Sequence, residues 1–191
     1  RNYRGWSGKI DVAMRFNHRA GEKLFVDYAG HTIPVIDKRT GEIRDTQIFV
    51  ATLGASNYTY AEATWTQSLP DWIGSHTRTF KFLGGVPEII IPDNIKAGVN
   101  KSCRYEPDIN PTYQDMASHY RCAVIPTRIR SPKDKAKVET GVKTVEQWIL
   151  ARLRNITFFN LTDLNKTVRN LLEDLNSRPF QKMSGTRKTM F

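Results

Sequence analysis

The chain has 191 residues, of which 39% are hydrophobic and 10% aromatic, enough for one domain with a real core or one domain with tails. It carries 29 Lys and Arg against 19 Asp and Glu, a formal charge of +10 and a pI near 9.8, which points to a polyanionic partner, nucleic acid first. No apolar run approaches the ~18 residues a membrane span needs, no signal peptide or P-loop is visible, and Cys103 and Cys122 form no zinc pattern and read as free thiols in a reducing cytoplasm, with a disulfide as the alternative.

Residues 1–20 mix bases with Trp6, Ile10, Val12, Met14 and Phe16 and read as a basic arm or linker. A start at Arg1 and a basic tail over 178–191 suggest a piece of a longer protein, with the domain proper over 21–177. Lys23–Ala29, His31–Asp37, Ile43–Leu53 and Tyr58–Thr64 are expected strands, joined by short turns into an antiparallel meander. After Pro70 the period changes. Trp72, Ile73, His76, Phe80 and Leu83 recur at helical spacing, and Gly84-Gly85 ends that helix.

Pro87–Ile91 is a short continuous apolar run, as in a buried parallel strand. Residues 99–110 read as a loop before a helix over Thr112–Tyr120, and Cys122–Pro126 as another strand. A long helix is expected from Lys133 to about Arg154, with Val138, Val142, Val145, Ile149 and Leu153 as its stripe. A last helix starts at Leu161, with Leu164, Val168, Leu171, Leu172 and Leu175 apolar. Strands first, then alternating strands and helices, give an α/β mixed sheet flanked by helices. Trp6, Trp65, Trp72 and Trp148 are assigned to the core.

Three carboxylates stand in unusual settings. Asp27 follows Leu24-Phe25-Val26 inside a strand, where a lone buried charge is costly unless paired or metal-bound. Asp93 ends Ile89-Ile90-Ile91-Pro92, at the carboxyl end of a strand, where α/β sheets gather ligands. Glu139 sits at the edge of a helical apolar stripe, one turn from Lys135 and Lys143. Singly, each has an ordinary explanation: a solvent-facing strand residue, a turn aspartate, a surface glutamate in ion pairs. Together, on a strand, a strand end and a helix, they can converge at one sheet edge and bind Mg²⁺, a hard ion that prefers oxygen. Two such ions ~4 Å apart serve phosphodiester chemistry.

Asn94 and Lys96 follow Asp93, and Arg128, Arg130, Lys133, Lys135 and Lys137 lead into the Glu139 helix. All seven are candidate DNA contacts. His31 reads as a strand-start histidine with a structural hydrogen bond, and His76 and His119 as structural or exposed.

The stretches Val26-Asp27-Tyr28-Ala29-Gly30, Ile91-Pro92-Asp93-Asn94-Ile95-Lys96 and Ser131-Pro132-Lys133-Asp134-Lys135-Ala136-Lys137-Val138-Glu139 resemble the motifs of a DDE transposase or retroviral-type integrase core, closest to the IstA-type insertion-sequence transposases. The resemblance covers about residues 21–176. It implies an RNase H-like fold, with Asp27, Asp93 and Glu139 as catalytic triad and metal ligands: Asp27 on both of two Mg²⁺ ions (Mn²⁺ as substitute), the others on one each. It implies end cleavage by water, then attack of the new 3′-hydroxyl on target DNA. It also implies a homo-oligomer, an AAA+ ATPase helper and a cytoplasmic, nucleoid-associated bacterial protein. Asp93 and Glu139 are 46 positions apart, more than the usual retroviral interval, and the surplus falls around 99–110. The rival readings are an RNase H-like nuclease that cuts without joining, and an inactive DNA-binding or assembly module.

Overall fold

A computed structural model describes residues 18–93, 99–101, 108–127, 132–181 and 183–191. Its hub is β3 (Ile43–Leu53), whose last six residues are all buried, as a strand covered on both faces must be. Against β3 run β1 (Lys23–Tyr28), β2 (Ile33–Ile36) and β4 (Thr59–Thr64), all antiparallel. The strands β1 and β2 share β3 between them, β1 pairing with residues 49–53 and β2 with 43–46. The parallel part follows: β5 (Ile89–Pro92) lies beside β1, and β8 (Ala123–Val124) beside β5.

Helices cover both faces. One face carries α1 (Leu69–Leu83) and α2 (Pro111–Tyr120). Pro70 opens α1 and Gly84, in the left-handed region at φ 66°, closes it. Trp72, Phe80, Tyr113 and Met116 pack there on Leu24, Val26, Tyr28, Phe49 and Ala51. The other face carries α3 (Pro132–Val145), a π-helical turn (Glu146–Leu150), the short α4 (Ala151–Leu153) and α5 (Leu161–Ser177). Val145, Ile149, Leu153, Leu164, Val168, Leu172 and Leu175 pack there on Ala29, Ile48, Val50, Ala61 and Ala63. Strand alternation thus feeds two separate cores: along β3, Ile48 and Val50 face one and Phe49, Ala51 and Leu53 the other. The architecture is α/β, a mixed sheet between two helical layers.

The edge of β4 is closed by side chains of α5. Asn176 accepts from Thr59 N–H at 3.0 Å and donates to Thr59 C=O at 2.8 Å. Asn165 does the same for Ala63 at 2.7 and 2.9 Å. The two asparagines are eleven residues apart, three helical turns, so one helix face presents both.

Three expectations need correction. Residues 99–110 are not simply a loop, since β6 (Val99–Lys101) and β7 (Asp108–Ile109) pair antiparallel as a ribbon. The long helix is not uniform. At the π turn the coil widens by one residue, so Ile149 and Leu150 both reach the core. Trp148 is consequently not a core residue. It lies 37% exposed, with the Arg178 guanidinium 4.3 Å above its ring. Trp72 is fully buried, Trp65 is partly buried beneath Arg44, and Trp6 lies outside the described residues. The tail over 178–191 folds back on the domain: Lys188 N–H donates to Asn176 C=O, and Phe191 stacks on Tyr58 at 4.4 Å.

Candidate active site

Asp27 is the fifth residue of β1, and Asp93 directly follows β5. In the parallel register Phe25 faces Ile91 and Val26 faces Pro92. The Asp93 N–H donates to Val26 C=O at 3.1 Å, carrying the ladder one step further. Asp27 and Asp93 therefore form the next cross-strand row, and in-register parallel neighbours point to the same face. That face is the one beneath α3, which packs on β1 and β3. Both carboxylates are half-buried. Oδ1 of Asp27 accepts the Tyr28 N–H at 2.8 Å, and Oδ1 of Asp93 accepts the Thr127 hydroxyl at 2.8 Å.

Glu139 lies on α3 and is exposed. Two residues on, Gly141 presses α3 onto the sheet so closely that a Cβ there would stand 2.6 Å from Thr52 Oγ1. Seven residues on, Glu146 Oε1 lies 3.0 Å from His31 Nδ1. His31 belongs to the segment that leaves β1, so this contact ties the end of the Asp27 strand to the helix that continues from Glu139. At 1.5 Å rise per residue Glu146 is ~10 Å along the axis from Glu139, too far for both to meet one ion.

The structure thus brings Asp27 and Asp93 together in one row and holds the Glu139 helix over that face. It does not close the three into a cluster: among the described residues, no three His, Cys, Asp or Glu side chains stand where they could hold one metal ion. Of the expected DNA contacts, Asn94, Lys96, Arg128 and Arg130 lie outside the described residues. Lys133, Lys135 and Lys137 lie on α3, with side chains outside the description.

Two further histidines are accounted for otherwise. His76 is fully buried in α1, with Nδ1 2.8 Å from Trp72 C=O and Nε2 3.1 Å from the Tyr113 hydroxyl; burial pushes its pKa down to about 4. His119 is exposed on α2 against Tyr120. Cys122 is buried and free, and Cys103 lies outside the described residues. Thr127 is the functional candidate that sequence reasoning missed. Its partner is 34 residues away, and only the register of β5 and the segment after β8 aligns them.

The integrase core domain family matches residues 17–132, which include Asp27 and Asp93 and end before Glu139. A protein of Burkholderia multivorans, provisionally named a transposase for insertion sequence IS408, is 50% identical over 99% of this chain and 36% of its own length. A Sinorhizobium fredii protein, provisionally named transposase y4uI, is 48% identical over 99% of this chain and 37% of its own. The transposase for insertion sequence element IS21 of Pseudomonas aeruginosa is 27% identical over 88% of this chain and 36% of its own. The chain spans little more than a third of the length of these relatives.

Among solved structures, the HTLV-2 integrase catalytic core domain in complex with magnesium superposes with a TM-score of 0.64 over 92% of this chain and 99% of its own, at 13% identity. A simian T-cell lymphotropic virus intasome chain gives a TM-score of 0.69 over 92% of this chain and 56% of its own, again at 13% identity. At that identity the likeness shows the fold, an integrase-type RNase H-like core. By the family match over most of its length, and by a sheet that follows that fold, this chain belongs to the integrase core domain family.

Proposed function

We propose that this chain is the catalytic domain of a bacterial insertion-sequence transposase, which cuts DNA at the ends of its element and joins them to target DNA with divalent metal ions. The observation that carries this reading is the row of two carboxylates, Asp27 and Asp93, on adjacent strands beneath the Glu139 helix. The names of the relatives and the magnesium in the HTLV-2 core support it.

The donor set suits the ions. Carboxylate oxygens are hard ligands, and Mg²⁺ takes one or two of them beside water and phosphate. Asp27, Asp93 and Glu139 would hold the ions, Asp27 serving both and the other two one each. Bound there, the metal supplies charge stabilisation for in-line displacement at phosphorus. The chain's own residues orient the reactants. The sheet fixes the two aspartates, α3 would bring Glu139 to them, and Lys133, Lys135 and Lys137 at the start of α3 would grip phosphates. Water displaces the 3′-oxygen at the element's end, and the freed 3′-hydroxyl then displaces a target 3′-oxygen. Assembly as a homo-oligomer, an AAA+ helper and a place in the cytoplasm on the nucleoid complete the reading.

The test is strand transfer of a pre-cleaved element-end duplex with Mg²⁺ or Mn²⁺, comparing wild type with Asp27→Asn, Asp93→Asn and Glu139→Gln. Joined product is expected from wild type, with a loss of about a thousand-fold or more in each variant, the ~4 kcal/mol scale of a catalytic ion's contribution. Folding and DNA binding should stay near wild type. Nicking without joining would favour a nuclease. Because no closed three-carboxylate group stands among the described residues, an inactive DNA-binding module is the second reading, and product absent throughout would favour it, whereas product unaffected by Glu139→Gln would remove Glu139 from the chemistry.

A further inference from the structure

Past Val124 the chain continues extended beside β5. Ala123 N–H donates to Glu88 C=O at 2.8 Å, Ile125 to Ile90 at 2.9 Å and Thr127 to Pro92 at 3.1 Å. The step of two is that of a parallel ladder. The pairs Ile89–Ala123 and Ile90–Val124 therefore extend to Asp93–Thr127. Asp27, Asp93 and Thr127 make one row over three neighbouring strands. On its other side Asp27 faces Val50, a side chain with no polar atom, so within this row the hydroxyl comes from the Asp93 side alone.

Thr127 is 5% exposed, and its Oγ1 lies 2.8 Å from Asp93 Oδ1. An ionised carboxylate only accepts, so the hydroxyl donates. Threonine is β-branched and stiff at χ1, and both its backbone and that of Asp93 are tied into the ladder. The bond thus sets the rotation of the Asp93 carboxylate instead of following it.

We infer that Thr127 is the positioning residue of Asp93: it fixes the orientation in which that carboxylate meets a divalent cation, without touching ion or substrate itself. This rests on the metal-dependent reading above. A merely structural cross-strand hydrogen bond would contribute to folding and nothing to metal binding. A partner that orients a ligand typically changes metal affinity about 10–100-fold when removed.

The two roles separate in a Mn²⁺ titration of the whole 191-residue chain, followed by calorimetry and by the metal-induced rise in melting temperature. The proteins are wild type, Thr127→Val, Thr127→Ser and Asp93→Asn. Valine keeps the shape and removes the hydroxyl, and serine keeps the hydroxyl. Thr127→Val is expected to weaken Mn²⁺ about 10–100-fold, with Thr127→Ser restoring most of the affinity. If the valine variant does not fold, Thr127→Ala must show the same loss. A valine variant that melts lower yet binds Mn²⁺ like wild type overturns the inference alone, as does a serine variant as weak as valine. Mn²⁺ that fails to bind wild type, or binds Asp93→Asn equally well, overturns the metal role of Asp93 and this inference with it.

Discussion

His76 shows how a residue chemically suited to catalysis is used for structure. Its Nδ1 faces a carbonyl and its Nε2 the Tyr113 hydroxyl, the pattern of a neutral ring with its proton on Nδ1. A second proton would set a donor against the Tyr113 hydroxyl inside a core of Trp72, Phe49 and Phe80. The folded-state pKa, about 4, lies below the ordinary 6.5. Between those values the unfolded chain binds a proton that the folded one refuses, so His76 destabilises the fold as pH falls from about 6.5 to about 4. The full effect is on the order of 3 kcal/mol. Urea melts of wild type and His76→Gln at pH 7.5 and 4.5 check this: the wild type's advantage should shrink at the lower pH, and an unchanged difference would refute it. Asp27 could be picked out in the sequence because a charge amid Leu24, Phe25 and Val26 demands a reason. Thr127 could not, because a threonine beside Pro126 carries no signal until the register sets it against Asp93.

The elements were readable where period and punctuation agree. The helix from Leu69 announces itself by Pro70, a stripe at helical spacing and Gly84, and β3 by an unbroken apolar run. The ribbon of β6 and β7 has short strands without alternation, and the π turn leaves the apolar spacing almost unchanged, so neither stood out. The role of α5 was hidden for another reason. Asn165 and Asn176 look like weak helix formers on a polar face, yet they pair the open edge of β4 where a further strand would otherwise add. Asn176 is buried, so Asn176→Ala leaves both polar groups of Thr59 without its amide. A loss of about 1–3 kcal/mol is expected in urea unfolding. Asn165→Ala, at a half-buried position, should cost less. Equal, near-zero losses would show that water replaces both amides.

At the scale of the molecule, charge and fold point to the same edge. Residues 127–143 hold six bases against two acids, and residues 178–191 four bases and no acid, so these two stretches carry net +4 each of the total +10. The first leads directly into the helix of Glu139. That imbalance was plain in the composition. The sheet row it adjoins was not, since pairing between β1 and β5 joins residues 66 apart. On the proposed function, a basic approach beside half-buried carboxylates would hold DNA by phosphates, with little regard to sequence, while the carboxylates serve the chemistry at one bond. Binding of a random duplex should therefore weaken linearly in log salt, with a slope near −0.9 per phosphate neutralised, or roughly −4 to −5 if the first stretch alone engages. Fluorescence anisotropy between 50 and 200 mM salt measures that slope. Lys133→Ala should lower it by about one and weaken all duplexes alike. A slope that Lys133→Ala leaves unchanged would place the DNA elsewhere, and one that instead drops with Lys188→Ala would place it on the folded tail.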